Sequence, residues 1–255
     1  MLSQGKLYVV GIGPGREDML TLRALDVLRM SEVVLGHKTY TDRVRHLTDA
    51  EFIESGMGRE VERVAKACEL AKDRAVSLVS GGDPSIYGMS PLVAEYVMTN
   101  GLDIEVETIP GITAMSAASA LLGSPINGDS VMISLSDHLT PWARIEERLR
   151  HALKGDFVIT VYNPSSRSRE GNLLRALDIV LDERGDLPVG IVRNAMREGE
   201  GIELITASGL KEEPGLVDMH TLLVIGNTET RVEGGRMFTP RGYSHKYDFM
   251  KGGRR

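Results

Sequence analysis

The sequence predicts an α/β protein of two domains, and three observations carry that expectation. Short Val/Ile/Leu-rich runs alternate with segments of helical spacing along most of the 255 residues, the pattern of a mostly parallel sheet. Aromatic residues amount to only 5%, which suits aliphatic strands buried on both faces better than an aromatic-rich sandwich. Glycine-rich turns follow the ends of several apolar runs, and the length leaves room for two modest domains.

Taken in order, Lys6 to Ile12 reads as a buried strand that stops in a glycine-rich turn. Thr21 to Met30 has helical spacing, and Val33 to Gly36 is a second strand. Glu60 to Lys72 makes an amphipathic helix, and Ala75 to Val79 a third strand. Pro91 to Asn100 fits a helix with proline in its first turn and Gly101 past its end. Ile104 to Ile109 alternates as a strand, and the Ala/Ser-rich stretch Thr113 to Leu122 predicts a helix bridging the halves. A second cycle follows, with strands at Ser130–Leu135, Phe157–Tyr162, Val189–Arg193 and Thr221–Ile225 and helices at Ala143–Leu153 and Asn172–Glu183. The expected domains are 1–122 and 123–255, divided near Ser124-Pro125. The basic tail after Tyr243 is expected to be poorly ordered.

Composition narrows the function classes. No apolar run approaches the ~20 residues that cross a bilayer, and no basic segment leads an apolar signal core, so a cytoplasmic protein is expected. Cys68 is the single cysteine, which excludes an intrachain disulfide and a cysteine-clustered metal site; its helical setting predicts a packed core thiol. The six histidines are scattered, with no pair at helical spacing, so no protein-bound catalytic metal is expected. A net charge of −6 argues against a general nucleic-acid binder.

Three loops at presumed strand ends remain as a ligand site: Gly11-Ile12-Gly13-Pro14-Gly15, Gly81-Gly82-Asp83-Pro84 and Pro110-Gly111-Ile112-Thr113-Ala114. The first is neither a dinucleotide fingerprint, because Arg16 stands where the last glycine belongs, nor a phosphate-binding loop ending in Lys-Ser/Thr. Carboxyl ends of parallel strands are where α/β sheets bind ligands. Asp83 offers a carboxylate there to hydroxyl or ammonium groups, or else belongs to an Asp-Pro turn that caps the next helix. The second half adds Ser136 to Trp142, Tyr162-Asn163-Pro164, Arg193 to Glu200 and Thr239-Pro240-Arg241-Gly242-Tyr243. Arg167, Arg169, Arg193, Arg197 and Arg241 would suit a substrate bearing carboxylates if they gathered at one place.

Together these loops resemble the tetrapyrrole methylase family, in order and over nearly the whole chain. The resemblance implies two α/β domains with the active site in the cleft between them, S-adenosyl-L-methionine as cofactor, a tetrapyrrole substrate and a homodimer. Carried over by position, the cofactor contacts are Pro14, Gly81, Gly82, Asp83, Ile86, Thr113, Ala114, Tyr162 and Ala195. The second-half segments resemble the ring-contracting branch, which methylates carbon 17 of the macrocycle in cobalamin biosynthesis. Contraction requires proton movement and carbonyl polarisation, for which Asp137, His138, Arg197 and Glu198 are the candidates. The alternatives are a methylase of the same fold acting at another corrin position, or a non-catalytic protein that binds a nucleotide cofactor.

Overall fold

The computed structural model describes residues 5–56, 58–165, 170–249 and 253–254. Contacts gather the chain into two units, Met1–Ala114 and Met115–Arg255.

In the first unit five strands pair in parallel, in the order β3-β2-β4-β1-β5. They are β1 (Lys6–Gly11), β2 (Val33–His37), β3 (Glu51–Ser55), β4 (Ala75–Ser80) and β5 (Glu105–Ile109). The helices between them are α1 (Leu22–Met30), α2 (Lys38–Val44), α3 (Glu60–Leu70) and α4 (Ser90–Thr99). Thr21 starts α1 by accepting the Ala24 N–H through its hydroxyl at 3.1 Å. One face of the sheet presents Tyr8, Val10, Val34 and Val79 to Ala24, Val27 and Leu28 of α1 and Val44 of α2. The other presents Leu7, Val9, Val33, Leu35 and Leu78 to Val64, Ala67 and Cys68 of α3 and Val93 of α4. Side chains alternate across the sheet, so a strand covered on both faces must be apolar at successive positions. Cys68 is a packed thiol, 1% exposed, and its burial pushes the thiol pKa up.

The second unit opens with α5 (Ala114–Leu122) and continues through β6 (Gly123–Ser124), β7 (Ser130–Ser134), α6 (Trp142–Lys154), β8 (Val158–Tyr162) and α7 (Glu170–Arg184). It then runs through β9 (Pro188–Arg193), β10 (Gly201–Thr206), α8 (Ala207–Glu212), β11 (Thr221–Ile225), β12 (Arg231–Glu233) and β13 (Arg236–Phe238). The main sheet has the order β10-β9-β11-β8-β7. Only β7 and β8 pair in parallel; β8–β11, β11–β9 and β9–β10 are antiparallel. A parallel sheet therefore holds for the first half and not for the second. The physical reason is the short turn between β9 and β10, which can only return the chain antiparallel. One face is packed by α6, α7 and α8 through Ile145, Leu149, Leu177, Val180 and Leu210. On β9 a Cβ added to Gly190 would meet the Leu122 side chain at 2.6 Å and the Met237 sulfur at 3.2 Å, so α5 and β13 lie against the glycine. The contacts thus place the division one helix earlier than 122/123, because α5 packs with the second sheet.

Candidate active site

In the first unit the candidate residues converge at the carboxyl ends of β4, β1 and β5, three neighbours in the sheet. The chain leaves β1 for a helix on one face and leaves β4 for a helix on the other. That reversal opens a crevice between the two strand ends, the usual ligand position of an open α/β sheet. Gly13 and Gly82 face each other across it as an isolated antiparallel bridge. The Gly13 N–H donates to the Gly82 carbonyl at 3.2 Å, and the Gly82 N–H to the Gly13 carbonyl at 2.9 Å.

The glycines serve two different ends. A Cβ on Gly111 would lie 2.2 Å from the Gly82 oxygen, and one on Gly11 would lie 2.7 Å from the Gly111 nitrogen. These two are small so that the three loops can stack backbone on backbone. Gly82 has φ 66°, a left-handed conformation that costs an L-residue roughly 1–2 kcal/mol. A Cβ there would meet Ala114 N and Thr113 Cα at 3.8 Å, ordinary contact, so at Gly82 it is the backbone conformation and not crowding that calls for glycine. Thr113 and Pro14 are buried, while Gly81, Asp83, Ile86 and Ala114 are half-buried.

Asp83 uses both carboxylate oxygens within the stack. Oδ1 accepts the Ser85 N–H at 2.8 Å and Oδ2 accepts the Gly111 N–H at 3.0 Å. Asp83 thus caps its own turn and ties the second loop to the third. The remaining lone pairs of a half-buried carboxylate can still accept from a ligand.

Sequence reasoning missed two supports of this stack. Arg43 of α2 donates from one terminal nitrogen to the carbonyls of Ile12 and Gly13, each at 3.0 Å. The Tyr40 ring lies against Gly81, where a Cβ would come within 2.6 Å of it. Neither carries a sequence signal, since α2 is short and mostly polar, with only Thr41 and Val44 buried.

In the second unit β7, β8 and β9 run in one direction, which the pairing through β11 fixes, so their carboxyl-terminal loops share one end of the sheet. Tyr162, at the end of β8, accepts the Met115 N–H at the start of α5 through its hydroxyl at 3.1 Å. Asn163 donates to the Ser134 hydroxyl at 2.9 Å, joining the loops after β7 and β8. Asp137 and His138 are exposed in the loop after β7. Ala195, Arg197 and Glu198 lie in the turn after β9, with Glu198 exposed; β11 stands between β8 and β9 and separates the two sets. Asn163, Asn194 and Met196 have φ of 50°, 47° and 56°. Such conformations cost of order 1 kcal/mol each and cluster at ligand-handling loops. Another missed residue, Glu200, holds the last of these by accepting the Met196 N–H at 2.8 Å. Asn194 N–H donates to His220 O at 3.1 Å. The Asp218 carboxyl beside it sits below its ordinary pKa: burial alone would raise it, but the Thr221 hydroxyl and the His220 amide outweigh that.

Arg167 and Arg169 lie outside the described residues, as does part of the tail. Arg193 and Arg197 share the β9 end, and Arg241 is exposed after β13. Thr239 is buried and structural, its hydroxyl donating to the Pro125 carbonyl at 2.7 Å and meeting the Thr230 hydroxyl at 2.8 Å. Among the described residues no cluster of His, Cys, Asp or Glu is arranged to hold a metal ion.

A parallel sheet with a glycine-lined crevice beside β1 and β4, followed by a second α/β unit, defines a ligand-binding class of fold. Within that class, the sequence model of the family described as Tetrapyrrole (Corrin/Porphyrin) Methylases matches residues 6–210. The chain belongs to the tetrapyrrole methylase family, and tetrapyrrole methylases use S-adenosyl-L-methionine. It is 48% identical to a probable cobalt-factor III C(17)-methyltransferase of Salmonella typhimurium, over 93% of this chain and 99% of that one. It is 53% identical to the cobalamin biosynthesis protein CbiHC of Archaeoglobus fulgidus, covering 96% of this chain but only 54% of that longer protein. The crystal structure of the methyltransferase CobJ superposes with a TM-score of 0.86 at 34% identity, covering 92% of this chain and 100% of that one. A Thermus thermophilus uroporphyrin-III C-methyltransferase complexed with S-adenosylhomocysteine superposes at 0.64, with 25% identity, covering 87% of this chain and 92% of that one.

Proposed function

We propose that this protein methylates carbon 17 of precorrin-3B or cobalt-factor III, with contraction of the macrocycle, in cobalamin biosynthesis. The observation that carries the reading is the end-to-end match to a protein named for that reaction, at 48% identity. Any cobalt belongs to the substrate.

The strand-end stack fits a cofactor with a flat ring and a polar tail. Gly82 lies in ordinary contact with Thr113 and Ala114 at the strand ends, and Asp83 keeps acceptor capacity for hydroxyl or ammonium donors. We assign Pro14, Gly81, Gly82, Asp83, Ile86, Thr113 and Ala114 of the first unit, and Tyr162 and Ala195 of the second, as cofactor contacts. When bound, S-adenosyl-L-methionine supplies a methyl group on a sulfonium, already activated toward a nucleophilic carbon. The chain's task is orientation, holding the ring carbon in line at ~3–3.5 Å from that methyl. Asp137 and His138, exposed after β7, and Arg197 and Glu198, after β9, are proposed to move protons and polarise the carbonyl during contraction. The family resemblance adds a homodimer to this reading and the sequence pattern a cytoplasmic location; no helix among the described residues is long and apolar enough to cross a membrane. Sedimentation of the purified chain tests the dimer.

The deciding experiment incubates the protein with methyl-labelled cofactor and each macrocycle in turn. A labelled product heavier by one methylene, with the ultraviolet–visible spectrum of a contracted ring, is the expected result. Label on another ring carbon, or no transfer, overturns the assignment.

A further inference from the structure

Helix α2 turns one face toward the glycine-rich loops. Tyr40 and Arg43 stand three apart, hence on the same side of the helix. His46 continues that spacing in the turn Arg45–Leu47. Tyr40 lies against Gly81, Arg43 against Ile12 and Gly13, and the His46 Nε2 is 2.9 Å from the Glu17 carboxylate. A single short element therefore touches both the first and the second loop.

Arg43 occupies the junction. The Gly13 carbonyl that takes its N–H also accepts the Gly82 N–H at 2.9 Å. Two donors, one of them cationic, thus share the two lone pairs of one carbonyl oxygen. Charge-assisted hydrogen bonds are roughly twice as strong as neutral ones, so the guanidinium fixes the Gly13 peptide against which Gly82 is set. Guanidinium is also the more weakly hydrated cation, better suited than an ammonium to a half-buried position against backbone.

We propose that Arg43 is the positioning residue of the methyl-donor site: through the Gly13 carbonyl it holds Gly82 in its left-handed conformation against Thr113 and Ala114. The inference rests on the cofactor pocket proposed above. Arg43 bonds to loop backbone, so its removal loosens cofactor binding and spares the chemical step.

The test compares Arg43→Met, which keeps the length and loses the donors, with Arg43→Lys, which restores a charged donor. S-Adenosylhomocysteine is titrated into the full chain by calorimetry, steady-state constants are measured for both substrates, and amide exchange is followed at Gly82. For Arg43→Met the expected result is an affinity about tenfold or more below wild type, with KM for the cofactor raised in proportion. Its kcat and its KM for the macrocycle stay near wild type, and Gly82 exchanges faster. Arg43→Lys recovers part of each change. Unchanged affinity in a folded Arg43→Met protein overturns the inference, as does a loss of kcat that merely tracks the folded fraction. Should Arg43→Met fail to fold, wild-type protection of Gly82 in Arg43→Lys together with wild-type affinity overturns it, and partial loss of both supports it. If the wild-type chain does not bind S-adenosylhomocysteine, the cofactor pocket itself is wrong and this inference falls with it; if wild type binds and Arg43→Met binds equally, only Arg43 is at fault.

Discussion

Replacing Gly111 by alanine sets a methyl group 2.2 Å from the Gly82 carbonyl oxygen and 2.9 Å from the Gly11 carbonyl carbon. All these neighbours are backbone, held by the Gly13–Gly82 bridge and by the bond from the Gly111 N–H to Asp83, so no side chain can swing away to make room. Relief requires the third loop to lift off the other two. Overpacking of this kind costs typically about 1–3 kcal/mol, while alanine returns about 0.4–1 kcal/mol by restricting the unfolded chain. The net expectation is a loss of about 1–2 kcal/mol in unfolding free energy. In a chain of this size that corresponds to a Tm lower by roughly 2–8 °C. Gly215→Ala is the matched control, since nothing lies within 4 Å of its added Cβ. Urea unfolding of both variants reads the stability, and calorimetric titration of S-adenosylhomocysteine reads the pocket. If Gly111→Ala unfolds with the same midpoint as Gly215→Ala and binds like wild type, the backbone-stack reasoning is refuted.

Three further outcomes follow from hydrogen bonds and charge. Asp83→Ala leaves the Ser85 and Gly111 N–H groups without their acceptor and is expected to lower unfolding free energy by about 1–3 kcal/mol. Asp83→Asn, which keeps one acceptor oxygen, is expected to lose less, both in urea unfolding and in calorimetric affinity for S-adenosylhomocysteine. Tyr162→Phe deletes the acceptor of the Met115 N–H and should cost about 1 kcal/mol in urea unfolding; no change would show that water replaces the hydroxyl there. The Ser208 amide and hydroxyl hold the Asp186 carboxyl below its ordinary pKa. Its contribution to stability is therefore complete above the unfolded value of about 3.9 and is lost as pH falls through the lower folded value. Urea midpoints taken from pH 6 downward should fall less steeply in Asp186→Asn than in wild type, and parallel curves would exclude the linkage.

β1, β2 and β4 were legible because burial on both faces writes a strand as a near-continuous apolar run, and the edge strand β5 by its alternation. The other edge strand, β3, escaped notice because its apolar residues are only the pair Phe52–Ile53, flanked by Glu51, Glu54 and Ser55. Strand direction in the second sheet was not legible, since side-chain periodicity is the same for either direction and only the turn length between β9 and β10 distinguishes them. Within the site, the glycines stood out by spacing, but their division of labour did not. Whether a glycine faces another loop or open space is a property of contacts between residues distant in sequence. Arg43 looked like any surface arginine in a polar stretch, and Glu200 could not be told from Glu198 two residues before it. Both acids are exposed, and what marks Glu200 is that it accepts the Met196 N–H.

The membership of α5 in the second unit has a practical corollary for dissecting the molecule genetically. A gene cut after Leu122 would strand Ala117, Ala118 and Leu122, all buried in the intact chain, on a fragment that lacks Gly190 and Met237, while the complementary fragment would show those residues to water. Both halves would then carry a sticky apolar face, and inclusion bodies are the foreseeable outcome. A cut between Ala114 and Met115 sends the helix away with the sheet it covers. Fragment-complementation and domain-shuffling libraries of this fold therefore have their seam at the start of that helix, where the third glycine-rich loop ends.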